Sequence, residues 1–253
     1  MAEPGHRVVG LNAVRTALKH GAERVSALWV DVARHDRRLQ ELIDAARSQG
    51  IALHRVDREQ LDRLAGGANH QGAVAAVAAP AAQDEAGLHA LLEALDHPPF
   101  VLVLDGVQDP HNLGACLRSA DAAGVDAVVA PRDRSVGLTP VACKVASGAA
   151  ESVPFFQVTN LARTLEALRD EHRLWVVGTA GDADRPIYDA DLRGRLALVM
   201  GGEEKGLRRL TREHCDLLVR LPMAGTVESL NVSVAAGVAL FEAVRQRRSR
   251  VPC

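Results

Sequence analysis

The sequence predicts an α/β protein in two parts: a small domain over residues 1–80 and a larger parallel-sheet domain over 98–253, with a linker at 81–97. Three observations carry this. Short Val/Leu-rich runs recur through residues 100–221, as expected of strands covered on both faces. Helix-length segments fill the intervals between them, the alternation that marks parallel sheets. The stretch Pro80-Ala81-Ala82-Gln83-Asp84-Glu85-Ala86-Gly87 is small, acidic and without periodicity, and separates the two parts.

In the first part, a helix is predicted over 11–20, stopping at Gly21, and a strand over 25–30. An amphipathic helix over 36–48 ends at Gly50, and a second strand covers 51–56. Asp57-Arg58-Glu59-Gln60 reads as an acid-started variant of a capping box opening a short helix. A strand returns over 73–79, after Asn69-His70-Gln71-Gly72. A short helix over 88–95 can belong to either side of the linker.

In the second part, strands are predicted over 100–104, 127–130, 152–157, 174–179, 196–200 and 217–221. Helices are predicted over 112–123, 140–149, 161–171 and 232–246. Thr139-Pro140 has the form of an N-cap followed by a first-turn proline.

Composition bounds the function. With 47% hydrophobic and 25% charged residues the chain is globular, and with only 3% aromatics its core rests on Ala, Val and Leu. The N-terminus lacks an apolar signal core, no run approaches the ~20 apolar residues of a membrane span, and the four cysteines are scattered. These features predict a cytoplasmic protein of reducing surroundings with no membrane partner. No metal-ligand spacing is present. A net charge of −2 neither requires nor excludes nucleic acid.

Three stretches stand out. Asp109-Pro110-His111-Asn112-Leu113-Gly114 through Arg118 opens a helix after a strand, the place where open α/β sheets put ligands. Asn112 has two readings, helix N-cap or site residue. Arg118 lies amid small apolar residues and needs an anion, a carboxylate or solvent. Gly201-Gly202-Glu203-Glu204-Lys205-Gly206 follows a strong strand but is no P-loop, because Leu207-Arg208 stands where Lys-Ser/Thr is required. There Glu203 can be a helix-start carboxylate or a site acid. Leu221-Pro222-Met223 leads into Ser229-Leu230-Asn231-Val232-Ser233, where Ser229 and Asn231 can simply cap the last helix.

Together, in this order and spacing, the three stretches resemble the SPOUT superfamily of methyltransferases, in its SpoU branch of RNA ribose 2′-O-methyltransferases. The likeness is greatest to the bacterial enzymes acting on guanosine of 23S rRNA in the peptidyl-transferase loop, and it extends into residues 1–80, which look like an L30e-like RNA-binding domain. The resemblance implies a Rossmann-like catalytic domain with a C-terminal trefoil knot, S-adenosylmethionine as cofactor, 23S rRNA as partner and a homodimer. It carries the catalytic roles to Asn112, Arg118, Glu203, Ser229 and Asn231, and the cofactor contacts to Thr179, Gly201, Leu221, Met223 and Leu230. It also leaves open a tRNA or antibiotic-resistance rRNA methyltransferase, or a non-catalytic ribosome-assembly protein that has kept the fold. A glycine at 201 suits adenosine approaching bare backbone. Because a guanidinium stays protonated, Arg118 is expected to stabilise charge on the 2′-oxygen rather than act as a plain base.

Overall fold

The computed structural model describes residues 6–78, 81–202 and 206–248. Contacts divide the chain into two compact units, Met1–Ala81 with Leu138–Ser152, and Ala82–Gly137 with Val153–Cys253.

The first unit runs β1 (His6–Val9), α1 (Leu11–His20), β2 (Val25–Asp31), α2 (Arg37–Ser48), β3 (Ala52–Val56), α3 (Arg58–Ala65) and β4 (Ala73–Val77). Its four strands are ordered β1-β4-β2-β3, with β4 antiparallel to both neighbours and β2 parallel to β3. Asp36 caps α2 by accepting the N–H groups of Arg38 and Leu39, and Asp57 caps α3 through Gln60 at 2.8 Å. Leu11, Val14 and Leu18 of α1 share a core with Leu39, Leu42 and Ile43 of α2 and with Leu28 and Val77 of the sheet. The four-residue β1 carries too short a pattern to be legible in sequence.

Around residues 138–152 the structure differs from the sequence reading. The single helix expected over 140–149 is two, α6 (Pro140–Ala146) and α7 (Ala149–Ser152), broken where Ser147 and Gly148 take positive φ of 54° and 98°. Thr139 caps α6 as expected, accepting from Ala142 N–H at 3.2 Å. Both helices belong to the first unit, not to a domain running unbroken over 98–253. The reason is close packing. A Cβ on Gly148 would lie 3.2 Å from the Cα of Ala13 in α1. Glu151, buried in α7, pairs there with Arg24 at 2.8 Å.

The second unit contains α4 (Glu85–Ala94), β5 (Phe100–Asp105), α5 (Pro110–Ala123), β6 (Ala127–Pro131), β7 (Phe155–Val158), α8 (Leu161–Asp170), β8 (Trp175–Thr179), β9 (Arg185–Pro186), β10 (Leu196–Gly201), α9 (Arg209–Glu213), β11 (Leu217–Arg220) and α10 (Val232–Arg248). Its strands form one parallel sheet in the order β7-β6-β5-β10-β8-β11-β9. Every residue of β5 and β6 is buried.

The expected linker is largely structured. Asp84 caps α4 by accepting Gly87 N–H at 3.0 Å, and Leu88 and Leu92, one helical turn apart, enter the core with Val101, Phe156 and Leu165. Gln83 extends the sheet edge, its N–H donating to Phe155 O at 2.9 Å.

The topology positions the site. Because β10 inserts between β5 and β8, the C-terminal ends of β5, β8, β10 and β11 reach one edge of the sheet. Asp105, Thr179, Gly201 and Arg220 end those strands. That edge is where parallel α/β sheets bind ligands.

Candidate active site

The turn after β5 is built around Asp105. Its side chain is fully buried and paired to Arg208, accepting from both the backbone N–H, at 2.9 Å, and Nε of that residue. Its carbonyl accepts Gly202 N–H at 2.9 Å. One acid therefore pins both ends of the loop that leaves β10. Sequence reasoning passed over this pair; a charged residue closing a wholly apolar strand was the available signal.

Asp109 caps α5, accepting His111 N–H at 2.8 Å, with Pro110 in the first turn. This settles one alternative for Asn112. It is not the N-cap but lies inside the helix, buried at 8% exposure. Its Oδ1 accepts from Nδ2 of Asn231 at 3.0 Å. Asn231 in turn holds the start of α10, its Oδ1 accepting from Ser233 N–H at 2.9 Å and Ser233 Oγ at 2.6 Å, and its carbonyl from Ala235 N–H. Asn231 thus caps α10 and at the same time reaches Asn112 on α5.

Arg118, two turns along α5, is exposed, and its guanidinium has no hydrogen-bond or ion-pair partner among the described residues. Glu203 lies outside the described residues.

A cavity of about 320 Å³ opens at the strand ends. Its wall includes Thr179, Gly201, Leu221, Met223 and Leu230, five residues contributed by four separate segments, and also Ser229. Asn112, Arg118 and Asn231 are not in the wall, although Asn231 sits between two wall residues, Leu230 and Val232. Glu228, which sequence reasoning missed, is the one charged side chain in the wall among the described residues. Besides Glu228, the lining consists of apolar side chains, bare backbone and the hydroxyls of Thr179 and Ser229, and a volume near 300 Å³ suits a small organic molecule. An adenosine-bearing cation fits this donor set: flat apolar contacts, glycine backbone, a threonine and a serine hydroxyl, and one carboxylate.

Gly201 has a further reason to be glycine. A Cβ there would lie 2.2 Å from the carbonyl carbon of Gly206 and 2.4 Å from Leu207 N, because the loop folds back on its own strand. Gly202 is equally confined, its Cβ position lying 2.5 Å from Gly106 O. Backbone contact within the protein excludes a side chain before any ligand arrives. Thr179 is also oriented, its Oγ1 donating to Val199 O at 3.2 Å.

These features define a class: a parallel α/β protein with a small-molecule cavity at a glycine-lined strand edge, beside a paired-asparagine cluster at two helix starts. Residues 99–241 match the SpoU rRNA Methylase family, and residues 7–83 match the RNA 2′-O ribose methyltransferase substrate binding family. The chain belongs to the SpoU rRNA methylase family. It is 57% identical over 242 residues to the 23S rRNA (guanosine-2′-O-)-methyltransferase RlmB of Shewanella oneidensis, covering 96% of this chain and 98% of that protein. The RlmB of Escherichia coli K12 is 55% identical over 240 residues, 95% of this chain and 98% of that one. Among solved structures, the SpoU methyltransferase AviRb of Streptomyces viridochromogenes in complex with AdoMet aligns with a TM-score of 0.76 at 26% identity, covering 96% of this chain and 91% of that chain.

Proposed function

We propose that this protein transfers the methyl group of S-adenosylmethionine to the ribose 2′-oxygen of a guanosine in 23S rRNA, in the peptidyl-transferase loop. The observation that carries this reading is identity above one half, over nearly the full length, to enzymes named for that reaction. The cavity supports the same reading, since its wall suits the cofactor and Asn231 adjoins it.

Thr179, Gly201, Leu221, Met223 and Leu230 would hold the cofactor by hydrophobic contact and backbone approach, with Glu228 offering a counter-charge to its cationic groups. When bound, S-adenosylmethionine supplies an activated methyl electrophile. The residues of this chain then have to deliver and manage the nucleophile. Arg118, exposed and free of internal partners among the described residues, holds the ribose-phosphate and stabilises negative charge as it develops on the 2′-oxygen. The Asn231–Asn112 hydrogen bond fixes the amides that orient the ribose, and Ser229 completes the polar surface. Glu203 is assigned by motif as the acid that orders this cluster.

The described helices include none long and apolar enough to cross a membrane. We place the protein in the cytoplasm, where its substrate RNA is made. The domains we propose are an RNA-binding domain built on residues 1–80 and a catalytic domain built on residues 98–253 without Leu138–Ser152, a segment that packs in the first unit and contributes nothing to the cavity wall. We further assign a trefoil knot to the segments after β8, β10 and β11, and a homodimer. Val234, Val238 and Phe241, one exposed stripe along α10, support the dimer.

The test is ribose-methylation mapping of 23S rRNA from a strain lacking the gene, with and without a plasmid copy. Loss and restoration of one 2′-O-methylguanosine is expected. An unchanged 23S map with a missing tRNA methyl group would move the substrate to tRNA. Absence of any change, together with no binding of S-adenosylmethionine in calorimetry, would leave a non-catalytic RNA-binding role.

A further inference from the structure

At the opposite end of β8 from Thr179, three potential metal ligands converge. His89 lies on α4, Glu171 is the C-cap of α8, and His172 follows it three residues before β8 begins. His172 Nε2 is 2.7 Å from His89 Nδ1, and that nitrogen is 3.7 Å from a carboxylate oxygen of Glu171. The three ligand atoms lie within 4.8 Å of one another. The linear sequence could not show this, because His89 and His172 are 83 positions apart.

We propose that His89, Glu171 and His172 form a binding site for a zinc-class divalent cation, clipping α4 to the turn between α8 and β8. Two imidazole nitrogens and one carboxylate oxygen are a borderline donor set that favours Zn²⁺, Co²⁺ or Ni²⁺ over Mg²⁺ or Ca²⁺. Zinc holds such ligands at about 2.0–2.2 Å. A tetrahedral ion therefore needs the two nitrogens roughly 3.3 Å apart, an opening of about half an ångström from the hydrogen-bonded pair. His89, one-third exposed, has the freedom to provide it.

The scaffold is already fixed. His172 is buried, its N–H donates to Ala167 O at 3.2 Å, and its carbonyl accepts from Arg195 Nε at 2.8 Å. His89 follows Leu88, which is locked in the core. The rings are tilted 45° to one another with centroids 4.8 Å apart, so their nitrogens meet edge to edge and the ion can replace the shared proton. Glu171 and His89 both reach solvent, leaving a path for the ion and a fourth position for water. The site is a structural clip at the far edge of the sheet from the cavity, so metal occupancy and methyl transfer are separable.

The test uses untagged full-length protein freed of metal by chelation. Titration with Co²⁺ is expected to give the visible absorption of a four-coordinate ion, saturating at one equivalent and bleached by one equivalent of Zn²⁺. Zn²⁺ should also raise the unfolding temperature by several degrees. His89→Ala and Glu171→Gln, both at partly exposed positions, should weaken Co²⁺ binding at least about tenfold while leaving methyl transfer unchanged. His172→Gln should do the same, and its folding is checked by circular dichroism. Equal Co²⁺ affinity in the wild type and in both His89→Ala and Glu171→Gln would overturn the proposal. So would the absence of a one-equivalent spectrum in the wild type.

Discussion

Asn231 Nδ2 donates to Asn112 Oδ1 at 3.0 Å, tying the residue that precedes α10 to the first turn of α5 across 119 positions of sequence. The bond is partly buried, and both amides have further neighbours to satisfy, so each orients the other. Replacing either residue with alanine removes a positioning contact beside the cavity. Asn112→Ala and Asn231→Ala should each lower single-turnover methylation of an rRNA fragment by roughly a hundredfold. The double variant should be little worse than either single one, because the two act as a unit. Full additivity in that cycle would refute the coupling.

Arg118 makes a different kind of contribution. It has no partner among the described residues to lose, so its replacement should leave the fold intact. Arg118→Ala is expected to reduce methyl transfer by about 10²–10³ with S-adenosylmethionine binding preserved. Arg118→Lys should recover only part of this, since lysine lacks the planar fork. Near-wild-type turnover in either variant, measured with tritiated cofactor, would remove Arg118 from the centre of the mechanism.

Gly201 is constrained from within the protein. Gly201→Ala places a methyl group 2.2 Å from the backbone of Gly206. The loop has to shift, and the cavity wall with it. Calorimetric titration should show cofactor affinity reduced at least tenfold, with a lowered unfolding temperature. Unaltered affinity would mean that this loop is free to relax.

The Asp105–Arg208 pair anchors the same loop. Removing one partner of a buried pair costs about 3–5 kcal/mol when the remaining charge stays buried. Asp105 is wholly buried, whereas 36% of the Arg208 side chain is exposed. Asp105→Ala leaves a guanidinium that can turn to water, and Arg208→Ala leaves a buried carboxylate. Chemical denaturation should therefore show Arg208→Ala to be the more destabilising of the two. The reverse order would place the energetic weight on the hydrogen bond from the backbone rather than on the charge.

The thiols yield a pH prediction. Burial, reinforced by Glu151 near Cys143 and by Asp216 near Cys215, pushes both thiols up to about 12. The thiolate is the reactive form. At pH 8 in the native state, peptide mapping after iodoacetamide should find Cys143 and Cys215 unmodified, and denaturant should release both. Rapid native labelling of either would contradict the burial.

Much of the fold was legible because apolar runs and caps are local signals. Five of the seven strands of the second unit follow from Val/Leu runs and β7 from its Phe155-Phe156 pair, starting three residues later than expected because Ser152 closes α7, and Asp36, Asp57 and Thr139 announce their helices by capping chemistry. The two-residue β9 gave no run to read. In residues 81–97, Asp84, Glu85 and Gly87 have the composition of a linker, while Leu88 and Leu92, spaced for the short helix expected there, commit α4 to the core. Residues 140–152 were placed with the wrong unit because small alanine faces carry no address; only a complementary surface decides where they pack.

The candidate site divides in the same way. Fixed spacing within the three motifs, and the limited chemistry of each residue type, marked out the residues along the chain. Their relations to one another come from folding. It gathered Thr179, Gly201, Leu221, Met223 and Leu230 around one cavity, moved the cap of α5 from Asn112 to Asp109, and paired Asn112 with Asn231. It also brought Arg208 to Asp105 and His172 to His89. Spacing along a chain records local geometry, but a hydrogen bond between residues a hundred positions apart exists only once the sheet order has set which strand ends become neighbours.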